Sequence, residues 1–110
     1  MKTVSDFKRR IVPGVKLHCI YHQQSAGRGE DGKIILVDED RGIRPVNIVQ
    51  SNAFTLLTTQ SDGKVINSWC TYPKASSVHI IDENTIQILE PDFREHDSKN
   101  LIPCLTYKFV

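Results

Sequence analysis

The sequence predicts a mainly β fold: a small, strongly bent barrel or sandwich of the SH3-like kind, with one short N-terminal helix. Three observations predict it. Apolar, often β-branched residues alternate with polar ones in segment after segment, the period of a half-buried strand. Turn residues such as Asp62-Gly63 separate those segments at close spacing. Only the N-terminus carries apolar residues at helical spacing. Seven or so short strands of this kind favour a barrel or sandwich over an open α/β sheet.

The chain has 110 residues, which suits one domain, residues 1–110. Hydrophobic residues make up 39% and charged residues 25%, ordinary globular proportions that argue against wholesale disorder. The net charge of +1 gives no global basic field, so a nucleic-acid site would need local clustering. Cys19, Cys70 and Cys104 are odd in number and lack paired spacing, which argues for buried thiols in a reducing compartment. The absence of an apolar leader and of any stretch approaching about 20 apolar residues adds the expectation of a cytoplasmic protein with no membrane partner.

Residues 1–12 read as the helix. Thr3 and Asp6 form a capping-box-like pair, Val4, Phe7 and Ile11 share a face, and Pro13-Gly14 stops the run. Lys8, Arg9 and Arg10 cover the other faces. Residues 15–22 alternate, with Val15, Leu17, Cys19 and Tyr21 on one side and Lys16, His18, Ile20 and His22 on the other. Residues 23–33 are polar and glycine-rich, a mobile loop or the tip of a protruding hairpin. The apolar run 34–37 pairs back on the first strand, and charge returns over 38–44. Residues 23–42 together read as an arm projecting from the body.

The chain is organised around Ile43–Ile81, a strand meander. Val46 and Ile48 lead to a Ser51-Asn52 turn, with Asn52 as the positive-φ residue. Phe54 and Leu56 lead to Asp62-Gly63, a pair suited to a type I′ turn because both residues tolerate positive φ. Residues 64–70 form the return strand, and Tyr72-Pro73-Lys74-Ala75-Ser76 a corner or a single helical turn. Pro45 cannot donate to a ladder and belongs at a strand start or an edge. Residues 77–81 and 85–89 form a second hairpin. Residues 90–100 are a charged loop anchored by Phe93, and 104–110 end the chain as a strand.

Chemistry is sparse. His18 and His22 share a strand face but lie about 13 Å apart along it, too far for one metal ion. Cys70 has His79 and His96 as conceivable bases, with nothing in sequence to place them. Gly27-Arg28-Gly29 lacks the setting of a phosphate loop. The most pointed cluster is Arg44, Gln50, Ser51, Asn52, Trp69, Tyr72 and Lys74. Rings that stack, amides that read edges and cations that take a phosphate suit a planar, phosphorylated ligand. The same residues also read as a core tryptophan, a packing corner and a turn.

The segments DRGIR (40–44), IVQSNAF (48–54) and SWCTYPKAS (68–76) resemble parts of small uncharacterised proteins encoded by phages and related mobile elements. The resemblance covers the middle half of the chain and implies a setting rather than an activity. Such accessory proteins often counter host defence by binding a host protein, nucleic acid or a signalling nucleotide. The expectation is therefore a non-enzymatic, cofactor-free, homo-oligomeric binding protein that sequesters a nucleotide-like signalling ligand or blocks a host protein. The second reading is a nucleic-acid-binding module, with Lys8, Arg9 and Arg10 on phosphates beside Trp69 and Tyr72. The third is a small hydrolase or transferase using Cys70.

Overall fold

The computed structural model describes residues 1–92 and 99–110. It is mainly β, with one short N-terminal helix and a single antiparallel sheet that bends without closing. The elements are α1 (Val4–Arg10), β1 (Lys16–Arg28), β2 (Ile34–Val49), β3 (Ala53–Thr59), β4 (Val65–Thr71), a single 3-10 turn at Ala75–Ser77, β5 (Val78–Asp82), β6 (Thr85–Pro91) and β7 (Leu101–Phe109). The strand order is β4-β3-β2-β1-β7-β6-β5. The chain's last strand thus lies inside the sheet. It bonds to β1 on one side and β6 on the other, joining the meander to the second hairpin.

The helix forms where the sequence places its caps. Thr3 Oγ1 accepts from the Asp6 N–H at 3.1 Å, and the Asp6 carboxylate accepts from the Thr3 N–H at 3.1 Å. Basic residues fill its last turn, where the helix dipole favours them. Seven residues of helix do not stand alone in water; tertiary packing holds them. Phe7 is the packing residue. Its ring meets Phe54 at 6.3 Å, Tyr107 at 6.0 Å and Phe109 at 5.7 Å.

Those contacts also measure the bend. Phe54 on β3 and Tyr107 on β7 lie 6.1 Å apart, with β2 and β1 between their strands in the sheet. In a flat sheet, three spacings of about 4.8 Å would part them by about 14 Å. The concave face therefore wraps one core of Phe7, Ile11, Leu17, Cys19, Val46, Phe54, Leu56, Ile86, Tyr107 and Phe109. The alternation expected for Leu17, Cys19 and Tyr21, and for Leu105, Tyr107 and Phe109, is what fills it.

Several expectations need correction. β1 and β2 are far longer than the apolar runs within them. Residues 23–28 remain strand, 29–33 form the hairpin tip, and the charged 38–44 stretch is strand throughout. Pro45 is neither a strand start nor on an edge; it sits within β2 opposite Lys16. Val46 bonds toward β1, exchanging with Val15 and Gly14 at 2.8 Å. By alternation, the missing Pro45 N–H lies on the opposite side, where the β3 ladder has ended at Val46↔Leu56.

Asn52 does not take positive φ; among the described non-glycine residues only Gln23 does, at 59°. The Ser51-Asn52 turn is closed by Gln50 N–H to Ala53 C=O at 2.8 Å. A two-residue turn without positive φ splays its strands. The irregular register between Val46 and Val49 absorbs this, and the Ile48 N–H finds Thr55 Oγ1 at 3.0 Å. Nor is Asp62-Gly63 a type I′ pair. Gly63 N–H bonds to Gln60 C=O at 3.0 Å and Gln60 N–H to Lys64 C=O at 2.8 Å, so only the glycine is left-handed, at φ 85°. The β1–β2 tip repeats this geometry at Gly29–Lys33, with Gly32 at φ 77°. In both turns the Asp carboxylate accepts the following Lys N–H at 3.0 Å. Gly63→Ala puts no atom in contact with a neighbour, so its cost is conformational, about 1–2 kcal/mol. A lowered urea midpoint is the expected result; an unchanged one would mean the turn relaxes.

Candidate functional site

The unclosed side of the sheet leaves a mouth onto the core. It is a cavity of about 250 Å³ lined by Tyr21 of β1, Trp69 and Cys70 of β4, Ile88 and Glu90 of β6, and Leu105 and Tyr107 of β7, with Pro73 and Cys104 at its margin. Strand alternation brings most of these residues together: Tyr21, Leu105 and Tyr107 continue the inward row of core residues, and Cys70 lies opposite the buried Phe54, whereas Trp69, opposite Thr55, belongs to the other face of β4 and reaches the mouth from the sheet's edge. Trp69, on the outermost strand, is 59% exposed and belongs to no core contact. Three aromatic residues thus line an opening of mixed polarity that also carries one carboxylate, Glu90.

Arg44 lies beside this mouth rather than in its lining. It lies on β2 opposite Leu17, whose side chain is fully buried. Its guanidinium draws down the Cys19, Tyr21 and Cys70 groups against the stronger upward push of their burial. Arg44 is half-buried, and among the described residues it makes no ion pair and no hydrogen bond. It also lines a neighbouring cleft of about 400 Å³ with Arg41, Ile43, Leu57 and Val65. Arg41 is engaged: its Nε lies 2.9 Å from Glu39 Oε1, and its guanidinium sits 4.6 Å over the Tyr21 ring.

The other sequence candidates are dispersed. Gln50, Ser51 and Asn52 form the β2–β3 turn and are exposed. Asn52 meets the end of β4 through its C=O, which accepts from Tyr72 N–H at 3.4 Å. Tyr72 is not an open stacking platform. Its ring packs on Phe54 at 5.2 Å, and the Lys8 ammonium lies 5.0 Å from the ring centre. Lys74 is exposed beyond the corner. Of the predicted cluster, Trp69 alone lines the mouth and Arg44 reaches it electrostatically; the turn, Tyr72 and Lys74 lie to one side.

The basic run of the alternative reading is tied down within the chain. Lys8 covers Tyr72, Arg9 pairs with Asp6, and Arg10 lies 3.9 Å over the Phe109 ring while bonding to Asn84 Oδ1 at 3.1 Å. Lys8 and Arg10 thereby lie over core rings, whereas Arg9 stays largely exposed.

The thiols are unpaired. Burial pushes Cys19 up to about 11 and raises Cys70 as well, the direction opposite to an activated nucleophile. The Cys70 thiol donates to Ser68 C=O at 3.7 Å and, among the described residues, has the Tyr107 hydroxyl rather than a histidine beside it. His79 is exposed on β5, whereas His96 and Phe93 lie outside the described residues. Among the described residues no group of three His, Cys, Asp or Glu side chains is placed to hold a metal ion.

Sequence reasoning missed the histidine pairs on the outer face. His18 Nε2 meets Asp40 Oδ1 at 2.7 Å, and His22 Nδ1 meets Asp38 Oδ1 at 3.0 Å with Nε2 against Thr106 Oγ1 at 2.6 Å. Both tie β1 to β2. The alternation of Asp38 and Asp40 on β2 was the available signal; Asp40 sits directly opposite Ile20 and reaches His18 diagonally. The Gly42 N–H, and then the His18 ring, hold the Asp40 carboxyl below its ordinary 3.8. A carboxyl lowered by folding contributes stability that is complete above its unfolded value and lost as pH falls through the folded one. The gap in urea midpoint between wild type and Asp40→Asn should therefore be widest near neutral pH and close on acidification. A gap independent of pH would remove Asp40 from the account.

No helix among the described residues is long and apolar enough to cross a membrane. No family model matches the chain, and no curated protein and no solved structure is similar to it.

Proposed function

We propose that the protein is a non-enzymatic binding protein whose ligand is a small nucleotide-like molecule, held with its ring at the Trp69 mouth and its anionic group at Arg44. One observation carries this reading: Arg44 is a half-buried cation without a carboxylate partner among the described residues; it lines the cleft next to an aromatic-lined opening and acts electrostatically on Tyr21 and Cys70 of that opening. A partly desolvated guanidinium without a counter-ion is costly to keep unless an anion completes it. Guanidinium is also the side chain best shaped for a phosphate, through paired N–H donors. Trp69 supplies a face for a planar ring. Glu90 of the same opening supplies an acceptor for a ring amino group. Thiols that burial raises, and the lack of a histidine on Cys70 among the described residues, favour holding the ligand over transforming it. In the setting that the phage resemblance implies, holding such a ligand withholds a signal from its host receptor.

Trp69 is the sole tryptophan and reports on its own site. The test is a fluorescence titration with purine and pyrimidine nucleoside mono- and diphosphates, the parent nucleosides and inorganic phosphate. Quenching by at least one nucleotide, weaker for its nucleoside, is expected. Arg44→Ala should cost that nucleotide about 1.5–3 kcal/mol of binding, the worth of a charge-assisted hydrogen bond. Equal affinity for nucleotide and nucleoside, or no quenching by any member, would overturn the reading.

A further inference from the structure

We infer that β4 is an assembly edge, and that two copies of the chain join there by antiparallel pairing of β4 with β4. The inference goes beyond the ligand reading and stands without it.

β4 ends the sheet, and among the described residues nothing pairs with its outer side. Its inner ladder to β3 is unbroken from Val65 to Thr71, with no bulge to twist the edge away. Its seven residues, VINSWCT, carry no charge and no proline. Charge, proline and bulges are the usual protections of an exposed edge, and β4 has none of them. Its apolar residues are open as well: Val65 is 58% and Ile66 40% exposed. The opposite edge is blunted. β5 has five residues, ends in Asp82 and is irregular between Ile80 and Asp82. A β4-to-β5 contact, which would propagate into filaments, is thereby disfavoured, whereas a β4-to-β4 contact closes on itself as a two-fold pair.

The ladder fixes which groups are open. Gln60 N–H bonds to Lys64 C=O, and Tyr72 N–H to Asn52 C=O, so the even-numbered residues of β4 bond inward to β3. Val65, Asn67, Trp69 and Thr71 therefore present their N–H and C=O groups outward. One register uses all of them: Val65 opposite Thr71 of the second copy and Asn67 opposite Trp69, with Ser68 facing Ser68 on the two-fold axis. An uncharged strand meets its own copy without like-charge opposition. Carried past the strand ends, the same register brings Asp62 toward Lys74 of the second copy, so the flanking charges are complementary.

The proposal is tested by light scattering on size-separated protein, without added nucleotide. Wild type should have twice the chain mass. Thr71→Pro removes an outward N–H and no internal ladder bond, so it should run at the single chain mass while keeping the wild-type circular dichroism. Should Thr71→Pro fail to fold, cysteine crosslinking decides. A non-hydrogen-bonded pair has its Cα atoms about 4.5 Å apart, within disulfide reach. Ser68→Cys should then oxidise to a 68–68 linked dimer, mapped by mass spectrometry, whereas Asn67→Cys should not. A wild type at the single chain mass at its highest attainable concentration, or a folded Thr71→Pro that keeps the doubled mass, would overturn the proposal. A Ser68→Cys that crosslinks no better than Asn67→Cys would overturn it too.

Discussion

Phe7→Ala is expected to cost about 3–5 kcal/mol of folding stability, enough to unfold much of a small domain. Phe7 is fully buried and touches three other rings, from β3 and β7, so its loss empties the middle of the bend. The surrounding strands cannot collapse into that space without straightening the sheet. The helix would also lose the contact that holds so short a segment. Urea denaturation followed by circular dichroism measures the effect. A loss below about 1 kcal/mol would mean that the sheet holds its curvature without the helix, and the helix would then be a cover rather than the plug of the core.

Trp69→Ala is expected to do the reverse: little to stability and much to binding. At 59% exposed, the ring lies outside the core, so its removal should stay within about 0.5 kcal/mol of wild-type stability. If a base stacks on it, the same change should weaken nucleotide binding by about 1–3 kcal/mol. Calorimetric titration beside a thermal melt separates the two, since the variant has no tryptophan to report. A large fall in melting temperature with unchanged affinity would make Trp69 a packing residue after all. Because Trp69 also faces the inferred copy contact, both measurements belong on protein of matched oligomeric state.

The fold was legible where side-chain period and turn chemistry agree. Thr3 and Asp6 announced the helix start, and the Leu17-Cys19-Tyr21 and Leu105-Tyr107-Phe109 rows announced the concave face. Legibility failed where strands carry charge on their outer face. Asp38 and Asp40 looked like loop residues because their partners, His18 and His22, lie on another strand, and only pairing brings them together. Asp31-Gly32-Lys33 repeats Asp62-Gly63-Lys64, and reading the two alike would have decided for the hairpin over the mobile loop and narrowed its tip to 29–33. The candidate site was legible only in part. Trp69 and Arg44 were chosen for their chemistry, but the mouth owes its shape to Tyr21, Glu90 and Leu105, which come from strands far apart in sequence. Tyr72 was chosen for nearness to Trp69. Adjacent elements diverge at a corner, however, and its ring turned to Phe54 instead.

The central claim is that the mouth beside Trp69 and the guanidinium of Arg44 form one ligand site. The most direct measurement is nuclear magnetic resonance of isotope-labelled protein, following backbone amide shifts during titration with the tightest-binding nucleotide of the series. The account predicts the largest shifts at Tyr21, Arg44, Trp69, Cys70 and Leu105, with those at Arg44 absent when the parent nucleoside replaces the nucleotide. Shifts centred on α1 or on the β1–β2 tip, or an Arg44 amide that responds alike to nucleotide and nucleoside, would contradict it.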